Sequence, residues 1–496
     1  MTLKELIAMS PLIIPVLGTL ILTASGKGKI RGYIATIFLF IALGTNTYIF
    51  SRTISEGDVF KTGLFLVNAS GAFMSEIILF LGLLASLYSL KYMENDPDEY
   101  LYWIFFLLFI CSMIGMATTF NILIMYLFLE AATVTSALLV LWGKSHRAVD
   151  ATVIYIILSL VGSFVIIAGI FWQYTRIETM LLSDAAIRNL TAFEKTGLAL
   201  LYLVGFGVKA GIVPFGLIWL PKAHSEAPTP ISSLLSGVLV QVAAFDIARS
   251  LGCLALRDLT VSMWAVIIGI FSMIIGALCA LLEALGISKL FNRDIKRVLA
   301  YSTISEIGYI VMLIGLAAPN TLSAEVVTAF SAALVHLLNH ALAKALLFLS
   351  AGAIIYYSKT RDLQNLSGVF RKMPVTAIGF IIGGLSLAMV PPLFGFKTLT
   401  EILVMSGFGS SSGQSLTYVV ETFLTATLTF LWVLVCAVKL TREEAKIEAK
   451  DPPAVMLLPI IVYMILILVF GVLFNFHLID LENIIEKLAE SVYSAT

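Results

Sequence analysis

The sequence predicts an all-α integral membrane fold of about fourteen transmembrane helices, with two inverted five-helix repeats over spans 4–8 and 9–13 and with spans 7 and 12 broken. Three observations predict it. Apolar runs recur from end to end, each long enough to cross a hydrocarbon core of ~30 Å, which takes about 20 residues. Hydrophobic residues make up 59% of the 496 and charged ones only 12%, against roughly 25% charged in a soluble domain. Lys and Arg concentrate in alternate loops, as they do in membrane proteins of fixed orientation.

Taken in order, the runs between polar punctuation are 3–23, 30–50, 71–90, 101–118, 121–142, 152–174, 196–213, 231–250, 261–282, 298–317, 324–356, 374–407, 417–438 and 454–475. The first, LKELIAMSPLIIPVLGTLILTA, is too long and too Pro-interrupted for a signal peptide and has no small-residue cleavage site, so it reads as a mature helix. The eleventh is too long for one straight crossing. The twelfth is interrupted by VPPLFGF at 390–396, where prolines remove donors and free backbone carbonyls. The seventh carries a similar Gly/Pro break, GVKAGIVPFG at 207–216. WLPKAHSEAPTPIS (219–232), with three prolines, reads as a loop plus the re-entrant start of span eight. TREEAKIEAKD (441–451) reads as a charged loop, and LIDLENIIEKLAESVYS (478–494) as an amphipathic helix along the outer surface.

Spans seven and twelve are five apart, so each takes the same place in a five-helix unit, and an odd number of helices per unit inverts the second copy. Paired broken helices at corresponding places of inverted repeats point to an ion or substrate path at mid-membrane. The expected organisation is a three-helix segment (1–100), a first repeat (101–250), a second repeat (251–440), and a C-terminal loop, span and tail (441–496). An even span count puts both termini on one side. The richer loops begin with the one holding Lys27, Lys29 and Arg31, so the positive-inside rule places both termini outside.

Zero formal net charge gives no sign of a nucleic-acid partner. The four cysteines, Cys111, Cys253, Cys279 and Cys436, are scattered singly, without the spacing of a zinc site, an iron–sulfur cluster or a disulfide framework. They read as small core residues. No metal or cofactor is expected, and any redox chemistry belongs to other chains.

An ionisable group inside a span costs at least ~2.5–3.5 kcal/mol at the centre and is a functional suspect by default. Glu130 sits in YLFLEAATVTS of span five and Lys209 at the break of span seven. Two readings stand for this pair: a charge pair whose association and separation gates proton movement, or a permanent buried salt bridge that holds two helices in register. In HLLNHALAKALLFLSAG (336–352), His336, His340 and Lys344 fall at i, i+4 and i+8, on one helix face within about two turns. Neighbouring imidazoles titrate near neutrality and relay protons through water. Metal ligation is the rival for a His pair at this spacing, but HExxH is absent; satisfied core histidines are the bland alternative. His224 and Glu226 read as proton acceptors near one surface or as helix caps, and Glu306 in YSTISEIGY as facing a polar axis. Lys397 and Glu401 follow the break of span twelve, while Glu76, Asp246, Glu283 and Glu421 fall near span ends, where solvated carboxylates are the default.

Four motifs in order carry a resemblance: WLPKAHSEAPTPISSLLSG, DIKRVLAYSTISEIGYIVMLIG (294–315), HLLNHALAKALLFLSAG and PPLFGF. Together they resemble the antiporter-like subunit family shared by respiratory complex I, Mrp-type Na+/H+ antiporters and archaeal membrane-bound hydrogenase-type complexes. The resemblance implies fourteen helices in two inverted repeats, a half-channel in each, and a hydrated axis between them. It places Glu130 and Lys209 at the family's paired glutamate and lysine, and His336, His340 and Lys344 at its eleventh-helix cluster. It implies as partners other membrane subunits, including further antiporter-like ones, and a peripheral redox module, in the plasma membrane of a prokaryote. The chain departs from the pattern twice. VLVQVAAFDIAR (238–249) has Gln241 where the family usually has a bridging lysine, and the position closing PPLxGFxxK is Leu399. Glutamine relays through hydrogen bonds but holds no proton charge. About 20 residues follow span fourteen, too few for a long lateral helix, so the chain looks like the shorter members.

The expected function is therefore a proton-translocating or Na+/H+-exchanging membrane subunit of a redox-driven or Mrp-type complex. The alternative is a structural subunit that keeps the fold with an impaired proton path. A third reading, an autonomous small-molecule transporter, fits the broken helices but not the motif set.

Overall fold

A computed structural model describes residues 3–24, 30–182, 185–254, 259–317, 324–406, 413–442, 450–476 and 482–493. The helices are α1 (Leu3–Ala24), α2 (Ile30–Ser55), α3 (Ala69–Tyr92), α4 (Glu99–Ala117), α5 (Ile122–Val140), α6 (His146–Ile177), α7 (Ala192–Ala210), α8 (Phe215–Glu226), α9 (Thr229–Leu234) and α10 (Val240–Leu254). They continue as α11 (Leu259–Leu285), α12 (Ile295–Ala317), α13 (Ala324–Ser358), α14 (Val369–Lys372), α15 (Pro374–Leu387), α16 (Gly395–Met405), α17 (Gly413–Thr441), α18 (Ala454–Asn475) and α19 (Glu482–Tyr493). Helices dominate because hydrocarbon offers no partner for a free backbone N–H or C=O. A single antiparallel hairpin, Phe60–Thr62 with Phe65–Val67, closes the α2–α3 loop.

Among the described residues, thirteen helical stretches are long and apolar enough to cross a membrane. The remaining expected span is the interrupted α15 and α16, each too short alone. The eleventh run is one continuous helix of 35 residues, about 50 Å at 1.5 Å per residue, more than a straight crossing needs.

Both breaks fall where the sequence places them, and they are built alike. α7 stops at Gly211, which takes φ 79° and returns its N–H to Gly207 and Val208. α15 stops before Met389, at φ 57°. Each break contains a cis peptide, Val213–Pro214 and Pro391–Pro392. Each restart has, in its first two residues, a glycine with no room for a side chain: a Cβ at Gly216 would lie 1.9 Å from the Gly211 oxygen, and one at Gly395 1.8 Å from the Ser386 oxygen.

The stretch 219–232 corrects the loop expectation. It is helical through Glu226 and again from Thr229, with only Ala227–Pro228 between. Pro221 sits inside α8, and Pro230 falls in the first turn of α9, where a missing N–H breaks no helical bond. Five residues, Leu235–Leu239, then form a π-helical turn that joins α9 to α10, a feature often found at functional positions.

α10 and α12 are wholly buried and α13 nearly so, whereas α1, α2, α11, α17 and α18 bury about a third of their apolar windows and present Leu, Ile and Phe outward. Three central helices thus lie inside a ring of lipid-facing ones. Asp246 and Glu283 correct the expectation of solvated span ends, since both are 0% exposed. Arg249 pairs with Asp246 and donates to the carbonyls of Met116 (2.6 Å), Thr119 (2.7 Å) and Ala117 (3.2 Å), closing the C-terminus of α4. Glu283 accepts the backbone N–H of Asn292 (3.1 Å) and Asp294 (3.0 Å), pinning the loop into α12. The tail helix α19 docks on the bundle through buried Leu488, Ala489 and Val492. Lys27, Lys29, most of the 441–451 loop and the ends of the 478–494 stretch lie outside the described residues.

Candidate functional site

Lys209 lies in the last turn of α7, beside the break, and is 2% exposed. Its Nζ donates to Thr133 Oγ1 of α5 (2.6 Å) and to Tyr155 Oη (2.7 Å) and Ser159 Oγ (3.2 Å) of α6. It also sits 4.3 Å from the centre of the Tyr155 ring. Glu130, one turn before Thr133, is bonded by the Ser163 hydroxyl, which also contacts the Ser159 carbonyl at 2.9 Å. Glu130 and Lys209 form no ion pair, although they remain within electrostatic reach. The permanent salt bridge is therefore not formed, and the two charges are joined through Ser159 and Ser163.

The second group lines α13. Lys344 Nζ donates to Ser302 Oγ (2.5 Å) and to the Leu299 carbonyl (3.1 Å) on α12. His340 has no partner at either ring nitrogen among the described residues, and lies within reach of Lys344, His336 and His224. His336 Nε2 is 3.2 Å from Glu306 Oε2, close enough for an ion pair but outside hydrogen-bond geometry, so both atoms stay unsatisfied. Its Nδ1 is 3.4 Å from Thr398 Oγ1, and its ring lies 5.1 Å from that of Tyr309. His224, in α8, is wholly buried with neither nitrogen partnered among the described residues, its ring 5.6 Å from Phe348, and it faces both Lys344 and Lys296. Gln241 donates to the Leu337 carbonyl at 2.9 Å while its Oε1 has no partner among the described residues.

Buried polar groups are nearly always hydrogen-bonded. Both His224 nitrogens, both His340 nitrogens, the Gln241 oxygen and the Glu306 carboxylate break that rule together. All of them line α8, α10, α12 and α13. Water is the partner that suits such a cluster, since each molecule bridges two or more groups.

Lys296 lies beside this cluster and is the buried residue that sequence reasoning missed. It is 4% exposed, and its Nζ donates to the Ala227 carbonyl (2.6 Å) and Ser232 Oγ (3.1 Å). Ser232 in turn donates to the carbonyl of His224 at 2.8 Å. The signal was available in DIKRVLAYSTISE: Lys296, Thr303 and Glu306 recur at helical spacing on one face of α12. Beyond Lys296 opens a cleft of about 330 Å³ lined by Arg147, Asp150, Lys222, Glu226, Asp294 and Arg297. Arg361 crosses its inner edge, 2.9 Å from Glu226 and 3.9 Å from Asp294. Burial pushes the Asp294 carboxyl above its ordinary value against the opposing pull of Arg361. Glu226 is thus an ion-pair partner, while His224, two residues earlier on α8, is buried.

Lys397 and Glu401 pair with each other at 2.6 Å on α16. Leu399 faces away from them, into an apolar cluster with Tyr309, Met312, Ala332, Met389 and Ile402. Thr398 connects α16 to His336 at 3.4 Å. Among the described residues, no three His, Cys, Asp or Glu side chains converge as a metal-ligand set.

Residues 119–425 match the family described as NADH:quinone oxidoreductase/Mrp antiporter, TM, and this stretch holds Glu130, Lys209 and the whole α13 cluster. The chain belongs to that family. The chain is similar to hydrogenase-4 component B of Escherichia coli, 36% identical over 340 residues (66% of this chain, 49% of that protein). It is also similar to the chloroplastic NAD(P)H-quinone oxidoreductase subunit 5 of Glycine max, 32% identical over 375 residues (72% and 47%). A putative antiporter subunit, mnhA2, of Staphylococcus saprophyticus is 30% identical over 429 residues (81% and 52%). The chain spans about half the length of these curated relatives. Two solved structures share the fold nearly end to end. One is a chain of the membrane-bound sulfane sulfur reductase, an archaeal respiratory membrane complex, at TM-score 0.84 and 20% identity, covering 99% of this chain and 98% of that one. The other is from the Mrp complex of Dietzia sp., at TM-score 0.83 and 19% identity, covering 100% and 98%. The protein is a multi-pass, antiporter-like membrane subunit, and its relatives and structural neighbours are subunits of multi-subunit membrane complexes.

Proposed function

We propose that this chain translocates protons, or exchanges them for Na+, as one membrane subunit of a redox-driven or Mrp-type complex. One observation carries the reading: the His224 and His340 ring nitrogens, the Gln241 Oε1 and the Glu306 carboxylate oxygens are buried without hydrogen-bond partners among the described residues and sit beside two buried lysines, Lys296 and Lys344, on the innermost helices. The inner cleft at Asp294 and Glu226 delivers protons to Lys296 and His224. Lys344 and His340 pass them to the His336–Glu306 contact. In the first half, Glu130 and Lys209 exchange a proton through Ser159 and Ser163, and the break after Lys209 admits water to the amine.

The two alike breaks support an arrangement of two inverted five-helix units, 101–250 and 251–440, flanked by 1–100 and 441–496. The alternation of basic loops supports a prokaryotic plasma membrane with both ends of the chain on the outer face. The partners are further membrane subunits, antiporter-like ones among them, and a peripheral redox module that drives the movement.

Reconstituting the intact complex in vesicles with a pH-sensitive dye tests the reading. Lys209→Ala and Lys344→Ala are expected to remove proton translocation while the complex still assembles. A second reading, a structural subunit with an impaired path, draws on Leu399 in its apolar cluster and on uncharged Gln241; wild-type translocation by both variants would favour it.

A further inference from the structure

The file ends at His336 and Glu306, about half-way along their helices, and the position that closes the family's broken-helix motif is the apolar Leu399. On α16 the charges beyond it, Lys397 and Glu401, are engaged with each other. α17 offers something different. Thr422, Thr425, Thr429 and Trp432 recur at spacings of three and four and share one helix face. All four are buried, and Thr422 Oγ1, Thr425 Oγ1, Thr429 Oγ1 and Trp432 Nε1 have no partner among the described residues.

This is not the usual state of a threonine in these helices. A hydroxyl in hydrocarbon ordinarily returns to a carbonyl of its own helix. Thr133 does so to Leu129 (2.8 Å), Thr152 to Ala148 (2.7 Å), and the outward Thr427 of α17 itself to Phe423 (2.7 Å). The three inward threonines of α17 forgo that bond. Their hydroxyls are left to water.

Tyr309 joins this face to the file. It lies one turn beyond Glu306 on α12, with its ring against His336. Its hydroxyl donates to the Thr422 carbonyl at 3.1 Å and stands within reach of the Thr425 hydroxyl. Glu421, beside Thr422 and nearer the start of α17, has a buried Oε2 with no hydrogen-bond partner among the described residues.

We propose that the outward exit of the file runs along the inner face of α17, through Tyr309, Thr425 and Thr422, and ends on Glu421. This rests on the proton-translocating reading above. Glu421 accepts the proton arriving over water and the threonine hydroxyls and releases it to the outer phase. The charge missing at Leu399 is thereby supplied from the next helix.

The test uses the intact complex in vesicles with Glu421→Gln, Glu421→Asp and Thr425→Val, beside Lys344→Ala and, as a lipid-facing control, Thr427→Val. Translocation is expected to fall to the Lys344→Ala level in Glu421→Gln, to drop in Thr425→Val, to recover in Glu421→Asp, and to stay at wild type in Thr427→Val. Thr425→Cys is expected to react with a membrane-impermeant thiosulfonate applied from the outer side only. Wild-type translocation in Glu421→Gln, with Lys344→Ala inactive, overturns the α17 exit and leaves the translocating reading in place; so does labelling of Thr425→Cys from the inner side. Wild-type translocation in Lys344→Ala overturns the reading on which it rests.

Discussion

Lys209 Nζ lies 2.7 Å from the Tyr155 hydroxyl and 4.3 Å from the centre of its ring, so one aromatic side chain gives a buried cation both an acceptor and a π face. A hydrogen bond to a charged group is worth about 1.5–3 kcal/mol, and a desolvated cation–π contact about 2 kcal/mol. Tyr155→Phe removes only the first and is expected to slow proton translocation. Tyr155→Leu removes both and is expected to slow it further. Initial rates in vesicles, normalised to assembled complex, check the order; equal rates for the two variants would separate the ring from the function.

Lys296 stands between the inner cleft and His224. Lys296→Met is expected to lower translocation sharply with assembly intact, and Lys296→Arg to keep part of it, because arginine retains the donors but releases no proton in a protein. Copurified complex and transport rate are measured together. A loss of assembly in step with transport would make Lys296 a clasp of the α8–α9 turn and nothing more.

Arg249 and Asp246 form a buried pair whose guanidinium also closes α4. Removing one partner of such a pair costs about 3–5 kcal/mol, since the other charge is left buried alone. Arg249→Ala is expected to lower the thermal midpoint of the detergent-solubilised protein clearly. Asp246→Asn, which keeps the cap on α4, is expected to cost less.

Asp294 supplies the pH dependence that lies outside the spans. Burial raises its carboxyl above the ordinary value in the folded protein. Such a group is most compatible with folding when protonated, and its contribution is lost as pH rises from the aspartate range through the raised value. Asp294→Asn, which keeps an acceptor for the Lys296 N–H at 2.9 Å, is expected to raise the thermal midpoint at neutral pH. The difference is expected to vanish below the ordinary aspartate range; a gap that widens on acidification would reverse the sign of the argument.

What the sequence made legible was local. Spans follow from contiguous apolar length, breaks from Gly and Pro in GVKAGIVPFG and VPPLFGF, and the alignment of His336, His340 and Lys344 from the helical period of a single segment. What it hid depends on other helices. The hydroxyl cage of Lys209 comes from α5 and α6, and no spacing within α7 announces it. Lys296 stands between Arg293 and Arg297 ahead of the apolar run 298–317, and it is the packing of α12 that turns it inward. Three prolines made 219–232 look like a loop, yet Pro230 occupies a first turn, where proline fits. Asp246 looked solvated because its partner, Arg249, is set by packing against α4.

The central claim is a wet file from Lys296 to Glu306, and a density map of the intact complex fine enough to show ordered water tests it most directly. The account requires water density bridging His224, Lys344, His340 and the His336–Glu306 contact without a dry gap. Aliphatic side chains closed around the His340 and His224 rings, with no density between them, would contradict it.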